Sequence, residues 1–413
     1  MVKSDLILLH QILHLHTTNH SFLVDYLMKL RTLLTIGLSF IILTLVHAQT
    51  DETESKTEEV PVWDLDIGGA LRLTYNLSTW KKGQVKRGGD FGFDVFRIDV
   101  HARYKKLEIH AEQRFYSAEF GGAFMKYGWF QYPTSKKAHL KVGLIPNYFG
   151  TQQYNSHSWF FALPYYVGFE DDHDMGLSYT YTGDKWHYDL AFYKNAEELS
   201  FSNNGPVSDS RYGYDISGDY KEVNTGNIRL IRTIKKKDAT HKIGATAQFG
   251  GLYDTQSQTI GTNAALGLHY QLATPKWSIK SIILGYARNS NRPGDNADIF
   301  SMSAYGAPYD TPAEAMIYTV GIARTFPVNW GPISSIQVYN DYNYMDKTAE
   351  NFEDTQMNVL GALVSAGPIY TYIDAAMGRN QPWLGPGFGT RLGAGDPSAK
   401  WSTRFNVNFG YYF

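Results

Sequence analysis

From Trp63 to the last residue the dominant period is two: apolar or aromatic residues take alternate positions, polar or charged ones lie between, and Gly, Pro, Asn and Asp clusters interrupt the runs. In FDVFRIDVHARY, Phe96, Ile98, Val100, Ala102 and Tyr104 share one face, and Arg97, Asp99, His101 and Arg103 share the other. In KLEIHAEQRFY the split is Leu107, Ile109, Ala111 and Phe115 against Glu108, His110, Glu112 and Arg114. Successive side chains of a strand point to opposite faces, so each run predicts a strand with one apolar and one polar surface. A soluble sandwich alternates as well, with its apolar faces joined in one core and its polar faces in bulk water.

The breaks between runs alternate in length. Short ones fall around 104–106, 133–138, 182–186, 235–241, 273–277, 327–333 and 366–368. Longer ones fall around 79–91, 116–123, 147–174, 194–226, 252–263, 288–314, 345–355 and 380–400. Seven tight turns interleaved with eight loops predict sixteen strands with both ends on the tight-turn side. The runs at 277–288 and 315–326 alternate imperfectly, which leaves the count open by two. Short turns on one side, long loops on the other and an even strand number are the asymmetry of a bacterial outer-membrane barrel. Closure satisfies every backbone amide in hydrocarbon, and roughly 9–11 residues per tilted strand suffice to span. The expected fold is therefore all-β, a transmembrane antiparallel β-barrel of about 16 strands over residues 65–413, in the bacterial outer membrane.

What precedes the barrel agrees. From Met28 the chain reads MKLRTLLTIGLSFIILTLVHAQT, with Lys29 and Arg31 ahead of an apolar core and Val46-His47-Ala48 before Gln49. This predicts a signal peptide over 28–48 cleaved after Ala48, and a short periplasmic segment over 49–64. Residues 1–27 read as lying upstream of the true start. After position 48 no apolar run approaches the roughly 20 residues of a spanning helix. Cysteine is absent, which excludes disulfides and thiolate metal sites. With 38 basic and 40 acidic residues the chain carries no nucleic-acid footprint.

The final run, WSTRFNVNFGYYF, puts Phe405, Val407, Phe409, Tyr411 and Phe413 on the lipid face and Arg404, Asn406 and Asn408 inside. Here the chain resembles outer-membrane proteins at large, in which a terminal aromatic on such a strand is the signal read by the barrel assembly machinery; that resemblance assigns the role to Phe413. Aromatics near strand ends, Tyr127, Trp129 and Tyr132 or Tyr165 and Tyr166, are expected to form interfacial girdles in contact with outer-membrane lipid.

Polar faces turned inward would expose Arg72, Arg97, Arg103, Arg114, Lys126, Lys141, Arg229, Lys242 and Arg404 against Asp66, Asp99, Glu108, Glu112, Asp189, Asp341 and Asp374. Nine positive groups against seven negative is near balance. A barrel of ~16 strands leaves an aqueous channel, so these charges would face permeating solutes or ions. The candidate selectivity set is Arg72, Arg97, Asp99, Arg103, Glu108, Glu112 and Arg114, though any one of them reads first as part of a solvated wall of paired charges and only then as a selectivity residue. The segment 147–174 is long and rich in aromatics, and such apolar surface requires a cover. Either it folds into the barrel as a constriction, with Trp159, Tyr165, Glu170, Asp171 and Asp172 at the pore, or its aromatics form an outer girdle or a subunit contact. The run Glu170-Asp171-Asp172-His173-Asp174 reads as a solvated acidic rim or salt-bridged corner before it reads as a hard-cation site, and no EF-hand spacing is present; no metal and no cofactor is expected.

LKVGLIPNYFG, with Gly143, Pro146 and Gly150 opening the long loop, then HDMGLSYTYTGDKWHYDLAFYKN, and later GALVSAGPIYTYIDAAMG turning at Gly367-Pro368, resemble the phosphate-selective porin O and P family. The resemblance implies a sixteen-stranded, commonly trimeric porin passing anions or small solutes along a basic lumen. This chain departs from the family in having no run of basic residues that dominates its inward face, so it carries over the general porin role and not phosphate specificity. A nonconducting barrel serving as adhesin or scaffold is the alternative. A plug-bearing transporter would need a folded domain where about sixteen residues, 49–64, precede the first strand. Enzymatic activity is not expected, since the adjacency of His157 and Ser158 in a loop is no evidence of a hydrogen-bonded pair.

Overall fold

A computed structural model describes residues 63–197, 205, 207–292 and 298–413. The predicted leader and most of the segment after it lie outside the described residues. In chain order the strands are β1 (Trp63–Ser78), β2 (Asp90–Tyr104), β3 (Leu107–Phe115), β4 (Ala123–Ser135), β5 (Ala138–Pro146), β6 (His173–Thr182) and β7 (Trp186–Asn195). Then come β8 (Asp215–Ile216), β9 (Tyr220–Lys235), β10 (Thr240–Asp254), β11 (Ile260–Ala273), β12 (Trp277–Asn289), β13 (Ile299–Ala304) and β14 (Ala307–Pro312). The last are β15 (Glu314–Trp330), β16 (Ile333–Lys347), β17 (Thr355–Ala366), β18 (Ile369–Arg379) and β19 (Ser402–Tyr412). All except β8, β13 and β14 form one closed antiparallel barrel of sixteen strands, sealed where β1 pairs with both β2 and β19. Each of the seven short breaks is a tight turn and each of the eight long ones a loop, as the alternation predicts.

The outward face is an apolar belt. Ile67 is 63% exposed, Leu266 64% and Phe409 41%, and the same face holds Phe130, Val142 and Ile243. No soluble domain leaves such a continuous apolar surface to water; hydrocarbon is the solvent that suits it. Phe413 lies at its edge and closes the barrel through its backbone, donating to the Gly69 carbonyl at 3.1 Å and accepting from the Gly69 N–H at 2.9 Å. A Cβ on Gly69 would stand 2.4 Å from the Arg97 carbonyl oxygen and 2.8 Å from the Phe413 ring, so the backbone approach here requires glycine.

The two imperfect runs have a physical cause. In β12 the inward Ile282 and Leu284 are fully buried while the outward Ile283 is exposed, and in β15 inward Ile317 is buried beside outward Tyr318 and Val320. Both faces are apolar because the inner face here is covered by protein. Part of that cover is a sheet the alternation does not predict: β8, β13 and β14, from the two loops expected at 194–226 and 288–314, pair in the order β14-β13-β8. Tyr305 and Gly306, both at positive φ, turn β13 into β14, a two-residue hairpin turn without the usual Asn-Gly signature.

Bulges move several residues from their expected faces. In the β1–β2 register Arg72 pairs with Val95 and Leu73 with Phe93, so Asp94 is the extra residue, and it turns inward to Arg72. In β3–β4, Glu112 pairs with Tyr127 and Gln113 with Met125, so Lys126 is the extra residue. Tyr127 and Trp129 consequently face the lumen and do not form the expected girdle: Trp129 stacks on His110 at 5.4 Å and carries the Lys141 ammonium at 4.4 Å. Tyr132 does face outward. Tyr165 and Tyr166 are no girdle either; they are buried against the inner wall.

Candidate functional site: an arginine-lined passage beside an inserted loop

The loop between β5 and β6 packs on inward-facing residues of β9, β10, β12 and β16. Gly150 donates to Thr246 Oγ1 at 3.3 Å and accepts from Arg229 at 3.1 Å. Lys280 holds the Ser156 carbonyl at 2.7 Å, Arg288 the Val167 carbonyl at 2.7 Å, and Asn343 Oδ1 the Leu163 N–H at 3.0 Å. His157 reaches furthest: Nδ1 lies 2.9 Å from Asp341 Oδ1 and Nε2 2.8 Å from Ser278 Oγ, the second residue of β12 after a tight turn. These anchors satisfy several of the loop's backbone polar groups, while Phe149, Phe160, Leu163, Tyr165 and Phe169 bury themselves against Ile282, Leu284, Ile317 and the β13–β14 hairpin.

The opposite wall, formed by β1–β3 and β19, stays polar. Between it and the loop lies a cavity of about 500 Å³. Arg72, Arg97, Arg114 and Arg404 line it from the wall; Tyr154, His157, Ser158, Trp159, Phe161 and Tyr165 line it from the loop. Arg72 reaches across it to the Trp159 ring, guanidinium carbon to centroid 4.4 Å. Among the described residues Asp94 is the one acid in the lining, 3.1 Å from Arg72. Arg97 is tied to Asp99 at 3.4 Å and to Glu112 at 3.3 Å, and Arg114 pairs with Glu112. The near balance counted over the whole inward face thus conceals a local excess of positive charge: four arginines and one aspartate line the cavity itself.

The other sequence candidates are placed elsewhere. Arg103 and Glu108 pair at 3.3 Å beside the β2–β3 turn, where Glu108 also meets His110 at 3.3 Å and Gln131 at 2.8 Å. Asp99 and Glu112 stand behind the arginines, outside the lining. Trp159 and Tyr165 do line the cavity; Glu170, Asp171 and Asp172 do not, nor do they form a solvated rim, since all three are buried. Glu170 accepts from Asn155 Nδ2 at 2.7 Å and its backbone N–H at 3.1 Å, and burial pushes its carboxyl up to about 7. Asp171 meets Lys126 at 2.6 Å and accepts from the Tyr212 hydroxyl at 2.5 Å. Burial works against its charge, but Lys126, His173 and Arg114 outweigh that and hold it below the ordinary aspartate range.

Sequence reasoning missed the loop anchors Ser278, Lys280, Arg288 and Asn343, whose role depends on a partner far along the chain, and it missed Asp94, which only a bulge turns inward. His157 bonds to Ser278 and not to its neighbour Ser158. Ser278, His157 and Asp341 stand in the order of a charge-relay triad, though Ser278 is not among the residues lining the cavity.

Solved structures share this closed barrel fold. The barrel has the fold of the outer-membrane porins. The anion-selective porin from Comamonas acidovorans aligns with a TM-score of 0.54 at 11% identity, covering 85% of this chain and 100% of that one. The outer-membrane protein OmpT of Vibrio cholerae, in trimer form, aligns with a TM-score of 0.53 at 13% identity over 85% of this chain and 99% of that one. The outer-membrane channel DcaP of Acinetobacter baumannii gives 0.52 at 10% identity over 88% and 100%. No protein-family profile and no curated protein matches the sequence.

Proposed function

We propose that the chain is an outer-membrane porin, a water-filled channel for passive diffusion of small hydrophilic solutes or ions, with a preference for anions. The observation that carries this reading is the cavity between the Arg72–Arg97–Arg114–Arg404 wall and the inserted loop. A permeating anion meets fixed guanidinium groups whose counter-charges sit beside or behind them, so it exchanges part of its hydration for their field, while a cation is repelled at the same place. The apolar belt supports residence in lipid, and delivery there would pass through the barrel assembly machinery with Phe413 as its cue. That the similar Comamonas protein is described as an anion-selective porin, and the similar Vibrio protein in trimer form, supports the same preference and a homotrimer for this chain. Kinship to the phosphate-selective porin O and P family belongs to this reading, with phosphate specificity left out.

The test is conductance of purified protein in a planar bilayer with ion substitution. Discrete steps and a reversal potential on the anion side are expected. A folded barrel that never conducts would replace the channel with the nonconducting scaffold. One observation favours a second reading, a hydrolase: the Ser278–His157–Asp341 order. The channel reading expects no ester turnover, and turnover abolished by Ser278→Ala would displace it.

A further inference from the structure

Where the inserted loop ends, four carboxylates from three separate stretches of chain converge. Asp172 closes the loop, Asp174 is the second residue of β6, Glu197 follows β7 and Asp215 opens β8, and one oxygen from each lies within 4.8 Å of the others. Asp172, Asp174 and Asp215 are each at most 2% exposed. Like charges do not gather out of water without compensation. The compensation present is incomplete. Arg211 stands 3.4 Å from Glu197 and 3.3 Å from Asp215, and Asn147 reaches Asp172 Oδ2 at 3.4 Å. Asp172 Oδ1 and Asp174 Oδ1 are buried and accept no hydrogen bond among the described residues. A fifth carboxylate, Glu222, lies beside Asp215.

We propose that Asp172, Asp174, Glu197 and Asp215 bind a calcium ion that clips the end of the inserted loop to the loop after β7 and to the small inner sheet. All four donors are carboxylate oxygens, the hard ligands calcium takes, and no sulfur or imidazole offers itself. His173, between two of the ligands in sequence, is stacked on Tyr127 at 5.6 Å. Two oxygens on one calcium at about 2.4 Å can be at most about 4.8 Å apart, the span within which all four lie. Calcium accepts six to eight oxygens in loose geometry, so water would complete the shell; magnesium, which wants a tighter octahedron, fits less well. Arg211 leaves most of these carboxylates unbalanced, and a divalent cation would offset two of their charges.

The test is a terbium titration of the purified barrel in detergent free of lipopolysaccharide, read by luminescence that Tyr212 and Tyr214 can sensitise. One saturable site per chain is expected, emptied by calcium at lower concentration than by magnesium. The Asp172→Asn/Asp215→Asn variant should bind terbium at least about tenfold more weakly. Its folding is checked by heat-modifiable gel migration, and if it does not fold, Asp174→Asn alone takes its place. A wild-type barrel with no saturable site, or a folded variant that binds unchanged, would overturn the proposal. Neither result depends on whether the barrel conducts.

Discussion

The Asp341 carboxylate holds His157 twice, through the imidazole at 2.9 Å and through the backbone N–H at 2.8 Å, and takes the Ser158 N–H at 2.7 Å as well. A residue of β16 thereby fixes the innermost point of a loop 184 positions earlier in the chain. Asp341→Ala leaves two backbone donors and an imidazole without their acceptor in a buried site, a loss on the order of 3 kcal/mol. The variant should unfold at lower denaturant and conduct more, with added noise, as the loop leaves the wall. Urea titration and single-channel recording check both; an unchanged conductance would mean the loop does not set the pore.

Arg72 and Arg97 line the cavity, whereas Arg103 is paired with Glu108 beside a turn. Arg72→Gln and Arg97→Gln should each shift the zero-current potential under a salt gradient toward cations, additively enough that the double variant shifts furthest. Arg103→Gln should shift it less. Equal shifts from all three would place the filter at the turn.

The Glu170 carboxyl, pushed up to about 7 by burial, is protonated at acid pH in the folded loop. Its folded value lies above its unfolded one, so the stabilisation it gives is complete below about pH 4.5 and is lost as pH rises to about 7. Lys280 of β12 faces it and limits the loss. Open-channel fluctuations should therefore increase as pH is raised from 5 to 8, and Glu170→Gln should flatten that dependence. A variant with the wild-type pH profile would assign the effect to another group.

Phe413 seals β1 through two backbone hydrogen bonds to Gly69 and covers that glycine with its ring. Deleting Phe413 should lower the fraction of folded, heat-modifiable protein recovered from outer membranes more than it lowers the stability of barrels already folded in detergent. Equal recovery would reduce Phe413 to an ordinary end residue.

The wall was legible because a strand's alternation follows from backbone geometry. Each of Phe96 through Tyr104 takes its face from its parity alone, and the Gly367-Pro368 turn or the 104–106 break can be read without knowing the partner strand. Parity failed at Asp94, Tyr127 and Trp129, where one extra residue in a bulge reverses the face without any marker in the sequence. It also failed for Phe300 and Met302, whose strand was hidden inside a loop. The acidic run at 170–174 was visible, but its burial was not, because burial depends on what Lys126, Arg211 and Asp215 bring from elsewhere.

The sequence by itself determined a closed barrel of about sixteen strands with short turns on one side and an apolar exterior, since period-two patterning and break lengths are local and hydrocarbon admits no open edge; the structure fixed the count at sixteen. Only the tertiary structure decided which half of the lumen stays open. Residues such as Ile282 and Leu284 needed a cover, and the 147–174 loop supplied it by meeting Asp341, Asn343 and Lys280, partners more than a hundred positions away. That folding leaves the arginine wall facing the remaining space, an arrangement set by through-space contacts that no local pattern encodes.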